Sequence, residues 1–480
     1  MRHKSLYLLA ITGILLSGCK IAKKPIVQDF KKYPEQPETF TQTADPTAAE
    51  IPLIATMYAD PLLKELVDSA IANNIELQKF RYKIDVLSAG MRAVQGNNLP
   101  DLSAFLGAGV KRFGRYTVDG VGNFDTNFSP NLTDKQRIPT VLPDVHGGVL
   151  SNWEIDVWKK LENQRKAALL RFGQGEQGQN LLKTAIVAEI ANAYYDLVVL
   201  DNELAIVDES IKLQQQAVEI ISSMKDVGES NSLAVELSSA QVLDAKALRI
   251  EIEQEIIEIE NNIKFLVGRY PQPIPRQKLN DFADDLPSLL TGSPAQLLAN
   301  RPDIKVAELG LLATNADLHV ARVVFYPSLN LGASVGLQSF RVLRFINPTA
   351  FALNVVGMGV MPLLNQRQLQ ANLLATKADQ QAAYLNYQEK VLLAFNEVNM
   401  YVRKLENNDR ILDIKTEEVE LLRRSISTST ELFKFGQATY LEIITAQRTA
   451  LAAQIDFLNV RRSQYRNTIL LYRSLGGGWK

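Results

Sequence analysis

Few side chains in this sequence of 480 residues could do covalent or metal chemistry, and their placement is informative. There is one cysteine, Cys19, and there are three histidines, His3, His146 and His319. A lone thiol cannot form an intramolecular disulfide, so the fold must be held by packing. The histidines lie far apart, without the spacing of metal ligands, and no nucleophile elbow or phosphate-cradling glycine loop is present. Gly107-Ala108-Gly109 sits inside an alternating apolar pattern with no helix after it, so it is not a nucleotide fingerprint. Asp284-Asp285 reads as ordinary loop charge, and the seven methionines are scattered rather than clustered as copper or silver ligands would be. No enzyme, cofactor or metal site is expected. With 52 basic and 53 acidic residues the net charge is −1, which carries no signature of nucleic-acid binding.

What remains is the thiol and its setting. Met1-Arg2-His3-Lys4 is basic, Leu6 to Leu16 is apolar, and Ser17 and Gly18 are small, the pattern of a secretory signal over residues 1–18. The apolar run is about half the ~20 residues a spanning helix needs. Leu16-Ser17-Gly18-Cys19 resembles a bacterial lipobox, in which the cysteine becomes the first mature residue and carries acyl chains. Each buried methylene contributes about 0.8 kcal/mol, so several chains on Cys19 would anchor the protein stably. Residues 19–54, spaced by Pro25, Pro34, Pro37, Pro46 and Pro52, read as an extended tether. Past Leu16 no apolar run approaches spanning length. The body is therefore either soluble or crosses a membrane as β-strands, which hydropathy detects poorly.

The elements beyond the tether are long. Ile186, Ile190, Ala193, Leu197, Leu200, Leu204, Val207 and Ile211 recur at alternating spacings of 4 and 3, the 3.5-residue period of helices packed as in a coiled coil. No proline occurs between Pro143 and Pro271, and the main break is Val227-Gly228-Glu229-Ser230-Asn231. The spacing predicts a helical hairpin over 160–268 with Gly228 as a C-terminal cap at its tip. An offset of 208 carries Leu197 to Leu405, Gly228 to Gly436, Leu233 to Leu441 and Gly268 to Gly476. Upstream the offset is 227, carrying Asn73 to Asn300, Pro100 to Pro327 and Gly109 to Gly336. The chain is thus a duplication: a first repeat at 55–275, with strands about 99–114 and 143–157, and a second at 276–480, with strands about 326–340 and 350–362 and a hairpin over 366–475. The 19 residues by which the offsets differ fall in Arg115–Leu142, which reads as a long loop.

The strands alternate without a fault. Leu329, Leu331, Ala333, Val335 and Leu337 form one face, and Asn330, Gly332, Ser334, Gly336 and Gln338 the other. A half-buried strand of a soluble sandwich has the same period, but the attached helices are too long for a sandwich. Trp153 could belong to an interfacial aromatic girdle or to a core. Four strands cannot close a barrel in lipid and open edges are not tolerated there, so several chains must pool strands, and three would give twelve.

This arrangement resembles the TolC-like outer-membrane efflux channels, in particular the lipidated NodT-type branch that serves RND pumps. The carriers are Cys19, Ala70-Ile71-Ala72-Asn73-Asn74-Ile75-Glu76-Leu77, Arg301-Pro302-Asp303-Ile304, Phe325-Tyr326-Pro327-Ser328-Leu329 and the terminal Leu475-Gly476-Gly477-Gly478-Trp479, in that order on the duplicated frame. The resemblance covers nearly all of the chain beyond the signal. It implies a mainly α fold with β, a homotrimer, a twelve-stranded barrel in outer-membrane lipid and a helical tunnel across the periplasm. It also implies passive export of small molecules with a periplasmic adaptor and an inner-membrane RND transporter. The tips Val227, Gly228, Glu229 and Phe435, Gly436, Gln437 would dock the adaptor, with Glu229 and Gln437 standing where the family often has an apolar residue. Glu442 matches the first acidic position of the family's periplasmic gate, where three copies would form a ring that favours cations; an ordinary solvated helix glutamate is the alternative. Two other functions fit parts of the pattern: a lipid-anchored periplasmic coiled-coil scaffold without a pore, and a type I protein-secretion duct. A scaffold has no use for the alternating strands.

Overall fold

The computed structural model describes residues 53–58, 60–278, 300–364 and 366–480; the signal-like segment, Cys19 and nearly all of the tether lie outside them. The short helix α1 (Ile54–Met57) is followed by α2 (Pro61–Asn73), α3 (Ile75–Gly96), β1 (Asp101–Lys111), α4 (Val118–Thr126), β2 (Leu142–Ile155), α5 (Lys160–Asp226) and α6 (Ser232–Val267). The second half runs α7 (Pro302–Val323), β3 (Ser328–Ser339), β4 (Phe351–Val360), α8 (Gln366–Lys434) and α9 (Tyr440–Ser474). The two halves repeat one order of helix, strand, strand and helical hairpin. Asp60 starts α2 by accepting from the Leu62 amide at 2.8 Å, with Pro61 preset for the first turn. Residues 115–142 are not loop throughout, because α4 lies within them, capped by Thr117 on the Gly120 amide at 3.1 Å.

Helix α5 has 67 residues and α8 has 69, about 100 Å each at 1.5 Å per residue. The first part of α5 lies between α3 and α7, and its second part between α6 and α9; α8 packs on α7 and then on α9. Close approach of α3 is helped by glycines on α5, where a Cβ at Gly175 would press on Leu87 and one at Gly178 on Phe80. The main core gathers where α2, α5, α6 and α9 meet, around Tyr194, Leu197, Val198 and Ile263. There Tyr195 stacks on Tyr465 at 4.7 Å, and Tyr58 meets Tyr472 edge-on at 6.1 Å. Of the periodic positions that mark α5, all but the half-buried Leu204 are buried.

The duplication reaches individual hydrogen bonds. In the first repeat the Asn74 side-chain Nδ2 donates to the Leu266 carbonyl at 2.8 Å; in the second, the Arg301 guanidinium donates to the Ser474 carbonyl at 2.9 Å. These four residues correspond under the same two offsets. Arg301 also forks onto Asp303 at 3.0 and 2.7 Å and reaches Glu397 at 2.8 Å, so one buried guanidinium joins α7, α8 and α9. The terminal Trp479 donates its indole N–H to the Asn300 carbonyl at 3.2 Å, closing the same junction.

The four strands form one antiparallel sheet in the order β1-β2-β3-β4. Its register puts Leu102, Leu106, Val149, Trp153, Leu331, Val335, Leu353 and Val355 on one face. Ser103, Asp144, Asn152, Asn330, Ser334 and Asn354 share the other. One face is thus apolar across all four strands, and much of it is exposed, including Leu102, Leu106, Leu331 and Leu353. Strands β1 and β4 each pair on one side only, so both outer ladder edges are unpaired among the described residues. Where the sheet passes into the helices, Trp153 donates to the Asn98 carbonyl at 3.2 Å and Trp158 to the Pro327 carbonyl at 2.7 Å, with Tyr326 against its ring at 4.9 Å.

Candidate functional site

The two hairpin turns carry the residues singled out in the sequence. At the first, α5 ends and Gly228 adopts φ +83°, donating to the Lys225 carbonyl at 3.0 Å while Glu229 donates to Met224 at 2.8 Å. At the second, Gly436 adopts φ +69°, donating to Phe433 at 3.0 Å while Gln437 donates to Leu432 at 2.8 Å. Both are Schellman caps, which need a left-handed residue that glycine supplies without a Cβ penalty. Each following helix is capped in turn. Asn231 accepts from the Ala234 amide at 2.9 Å, and the corresponding Thr439 accepts from Leu441 at 3.3 Å.

The tips stand together. Ala217, Ile221 and Ala234 of the first hairpin pack with Phe433 and Ile443 of the second, joined by Met224 and Tyr440. This cluster holds both turns at one end of the helical layer and leaves their outermost apolar side chains uncovered. Val227 is 72% exposed and Phe435 78%. Glu229 and Gln437 are exposed beside them. The structure therefore brings Val227, Gly228, Glu229, Phe435, Gly436 and Gln437 to one surface, with Glu442 one helical turn into α9.

Glu442 has a local duty that its position alone did not reveal. Its carboxylate accepts from the Thr439 amide at 2.9 Å and from the Thr439 hydroxyl, forming a capping box at the start of α9. The Thr439 hydroxyl beside it holds the Glu442 carboxyl below the usual range, so it stays ionised. The signal was in the sequence as Thr439-Tyr440-Leu441-Glu442, a Thr-x-x-Glu preceding an apolar run. The pin made by Arg301 was also missed: the motif around it was visible, but its partners Glu397 and Ser474 lie 96 and 173 residues away. Among the described residues no helix is long and apolar enough to cross a membrane, and no group of three or more His, Cys, Asp or Glu could hold a metal.

Comparison with known proteins adds to this geometry. The family described as outer membrane efflux protein matches residues 66–269 and again 293–477, one segment for each structural repeat. The cation efflux system protein CusC of Escherichia coli O6:H1 is 25% identical over 426 residues, covering 88% of each chain. The toluene efflux pump outer membrane protein TtgC of Pseudomonas putida is 26% identical over 490 residues, covering 99% of this chain and 96% of that one. The solved outer-membrane channel OprN shares the fold with a TM-score of 0.82 at 22% identity, over 95% of this chain and 100% of that one. The chain belongs to the outer membrane efflux protein family, and efflux across the outer membrane is its function.

Proposed function

We propose that three copies of this chain close into the exit duct of a tripartite pump, a twelve-stranded barrel in the outer membrane continued by a helical barrel in the periplasm. One observation supports the reading: among the described residues the fold has open margins at two levels. In the sheet the margins are β1 and β4. In the helical layer, running α6, α5, α9, α8, the margins are α6 and α8. Leu243, Ile250 and Ile257 recur every seven residues on α6, and Met400, Ile414 and Leu421 are separated by fourteen and seven residues on α8; all six are exposed. Heptad stripes on two edge helices call for another helix against each. Joining the β4 and α8 side of one copy to the β1 and α6 side of the next satisfies both levels at once. Three copies return the surface to its start, with the apolar face of the sheet toward lipid.

The remaining roles follow on that frame. Cys19 carries acyl chains in the outer membrane. The tips Val227, Gly228, Glu229, Phe435, Gly436 and Gln437 meet the hairpins of a periplasmic adaptor, which links the duct to an inner-membrane RND transporter. Three copies of Glu442 ring the periplasmic mouth. Transport through the duct is passive, and cargo selection rests with the transporter and the adaptor. A pore-free scaffold leaves the apolar face of the sheet without a purpose.

The test is the mass of the detergent-purified protein together with single-channel recording. A trimer with discrete conductance is expected; a stable monomer without current overturns the reading. Gly436→Trp should preserve trimer and conductance while abolishing efflux in cells, because apart from local left-handed strain of about 1–2 kcal/mol at the turn only the docking surface changes. Unchanged efflux in that strain removes the adaptor role of the tips.

A further inference from the structure

At the end of the sheet away from the long helices, the two strand connections present an apolar surface beside cations without carboxylate partners. The first connection contains α4, where Val118, Val121 and Phe124, with Phe128 just beyond, recur every three or four residues. Phe124 is 67% exposed and Phe128 71%. In the second connection Leu343 is fully exposed, at 100%. Hydrogen bonds tie these segments into one cluster. The Asn127 side chain bonds the Ile138 backbone in both directions, at 2.9 and 2.8 Å, which sets the end of α4 beside Arg137. Arg341 donates to the carbonyls of Asp134 at 2.9 Å and Arg137 at 3.4 Å, and the Arg344 amide donates back to the Arg341 carbonyl at 2.8 Å. Among the described residues Lys135, Arg341 and Arg344 have no carboxylate within ion-pair distance, and Arg137 has only the exposed Asp134 at 3.4 Å.

Uncovered phenylalanines next to unpaired arginines match a molecule with an anionic head and acyl chains. We infer that this surface docks a phosphate-bearing acylated lipid of the outer leaflet. The inference rests on reading the sheet as a third of an outer-membrane barrel. On that reading, strands of about ten tilted residues span the apolar band, and the connections begin at headgroup depth. The ring of Phe345 folds back over Gly147, on the apolar face beside Leu106, so the second connection continues the lipid-facing side. Guanidinium groups suit phosphate geometry. A second copy set face to face on this surface is the poorer occupant, because it would bring arginines toward arginines.

The test titrates the full-length trimer in detergent with bisphosphorylated lipid A, counting bound lipid by native mass spectrometry. A basic side chain near an anionic membrane surface is worth about a fivefold change in binding. Lys135→Gln with Arg344→Gln, whose side chains make no hydrogen bond among the described residues, should therefore weaken binding about twenty-five-fold while trimer mass and conductance stay unchanged. Dephosphorylated lipid A should bind correspondingly less, and millimolar inorganic phosphate should not displace the intact lipid. Unchanged affinity in the double variant, with trimer and current intact, overturns this inference alone. So does displacement by inorganic phosphate, which would mark a bare anion site. So does dissociation of a Phe124→Ser, Phe128→Ser trimer in lipid-free detergent, which would assign the face to contact between copies. Absence of trimer and current in the unaltered protein overturns the channel reading first and this inference with it.

Discussion

Each helical hairpin ends in the same local motif at its tip and at its root, yet the two ends live in different surroundings. At the tips, Gly228 and Gly436 have positive φ, and a Cβ placed on either would meet nothing within 4 Å. At the roots, Gly268 has φ +73° and Gly476 φ +97°, with the same Schellman bonds, but a Cβ would lie 2.8 Å from the Asn73 carbonyl oxygen and 2.8 Å from the Asn300 carbonyl group. The tips constrain only the backbone. The roots constrain the backbone and the packing, and they adjoin the Asn74 and Arg301 bridges. One motif therefore serves two ends: at the root it locks the hairpin into the middle of the chain, and at the tip it turns the chain while leaving the surface free for a partner.

The contrast breaks most readily at Arg301. Arg301→Met would strand Asp303 and Glu397 without their partner, and removing one member of a buried ion pair costs about 3–5 kcal/mol. Denaturant unfolding in detergent, followed by circular dichroism, measures this; a cost under about 1 kcal/mol would mean the roots are not anchors. The pH dependence should also weaken. Burial pushes the Asp303 carboxyl up, but the Arg301 fork overrides it and holds the group below the usual range. Its contribution is present above the ordinary aspartate pKa of about 3.9 and is lost as pH falls through the lowered folded value. Without the guanidinium, burial is still opposed by the backbone amides of Ile304 and Asp303, so in Arg301→Met this carboxyl contributes less of the stability that the unaltered protein loses on acidification.

Next in size come the glycines themselves. Gly268→Ala and Gly476→Ala combine left-handed strain with overpacking against backbone, about 2–4 kcal/mol together. Gly228→Ala and Gly436→Ala carry the strain alone, about 1–2 kcal/mol. Equal losses at tip and root in the same unfolding experiment would erase the distinction. Removing the tip caps, Asn231→Ala or Thr439→Ala, should cost about 1 kcal/mol each by the same measurement.

Much of this contrast was legible in the sequence because it is local and repeated. The offset of 208 pairs Gly228 with Gly436 and Gly268 with Gly476, and all four have positive φ. The 3.5-residue period marks the face of α5 that packs, because side chains three and four residues apart share one side of a helix. What sequence reading lost was of two kinds. Helix α4 was hidden by its composition: Gly120 and Gly122 lie inside nine residues, and glycine in a helix interior is unfavourable by about 1 kcal/mol relative to alanine. The Arg301 pin was hidden by distance, since no local pattern reports that its carboxylate and carbonyl partners come from α8 and α9. Nor does any period within one strand say which edges the sheet leaves open; that required the pairing order.

The smallest structural effect is expected at Glu442, where the comparison between ends can be sharpened. As the carboxylate of a capping box, Glu442 is a structural residue of the tip; as a member of the proposed ring of three, it would be a functional one. Glu442→Gln separates the duties, because a glutamine at this position still accepts from the Thr439 amide and satisfies the box, while the charge is gone. The hairpin should therefore keep its stability, within the roughly 0.5 kcal/mol scatter of surface substitutions. In planar bilayers the open channel should become less selective for cations, since the proposed ring loses its three negative charges together. If selectivity is unchanged and stability is intact, the carboxylate is a cap alone, and the tips differ from the roots only in how much room surrounds them. If stability falls while selectivity holds, the charge matters to the cap more than the hydrogen bond does, and the tip is the more tightly built end.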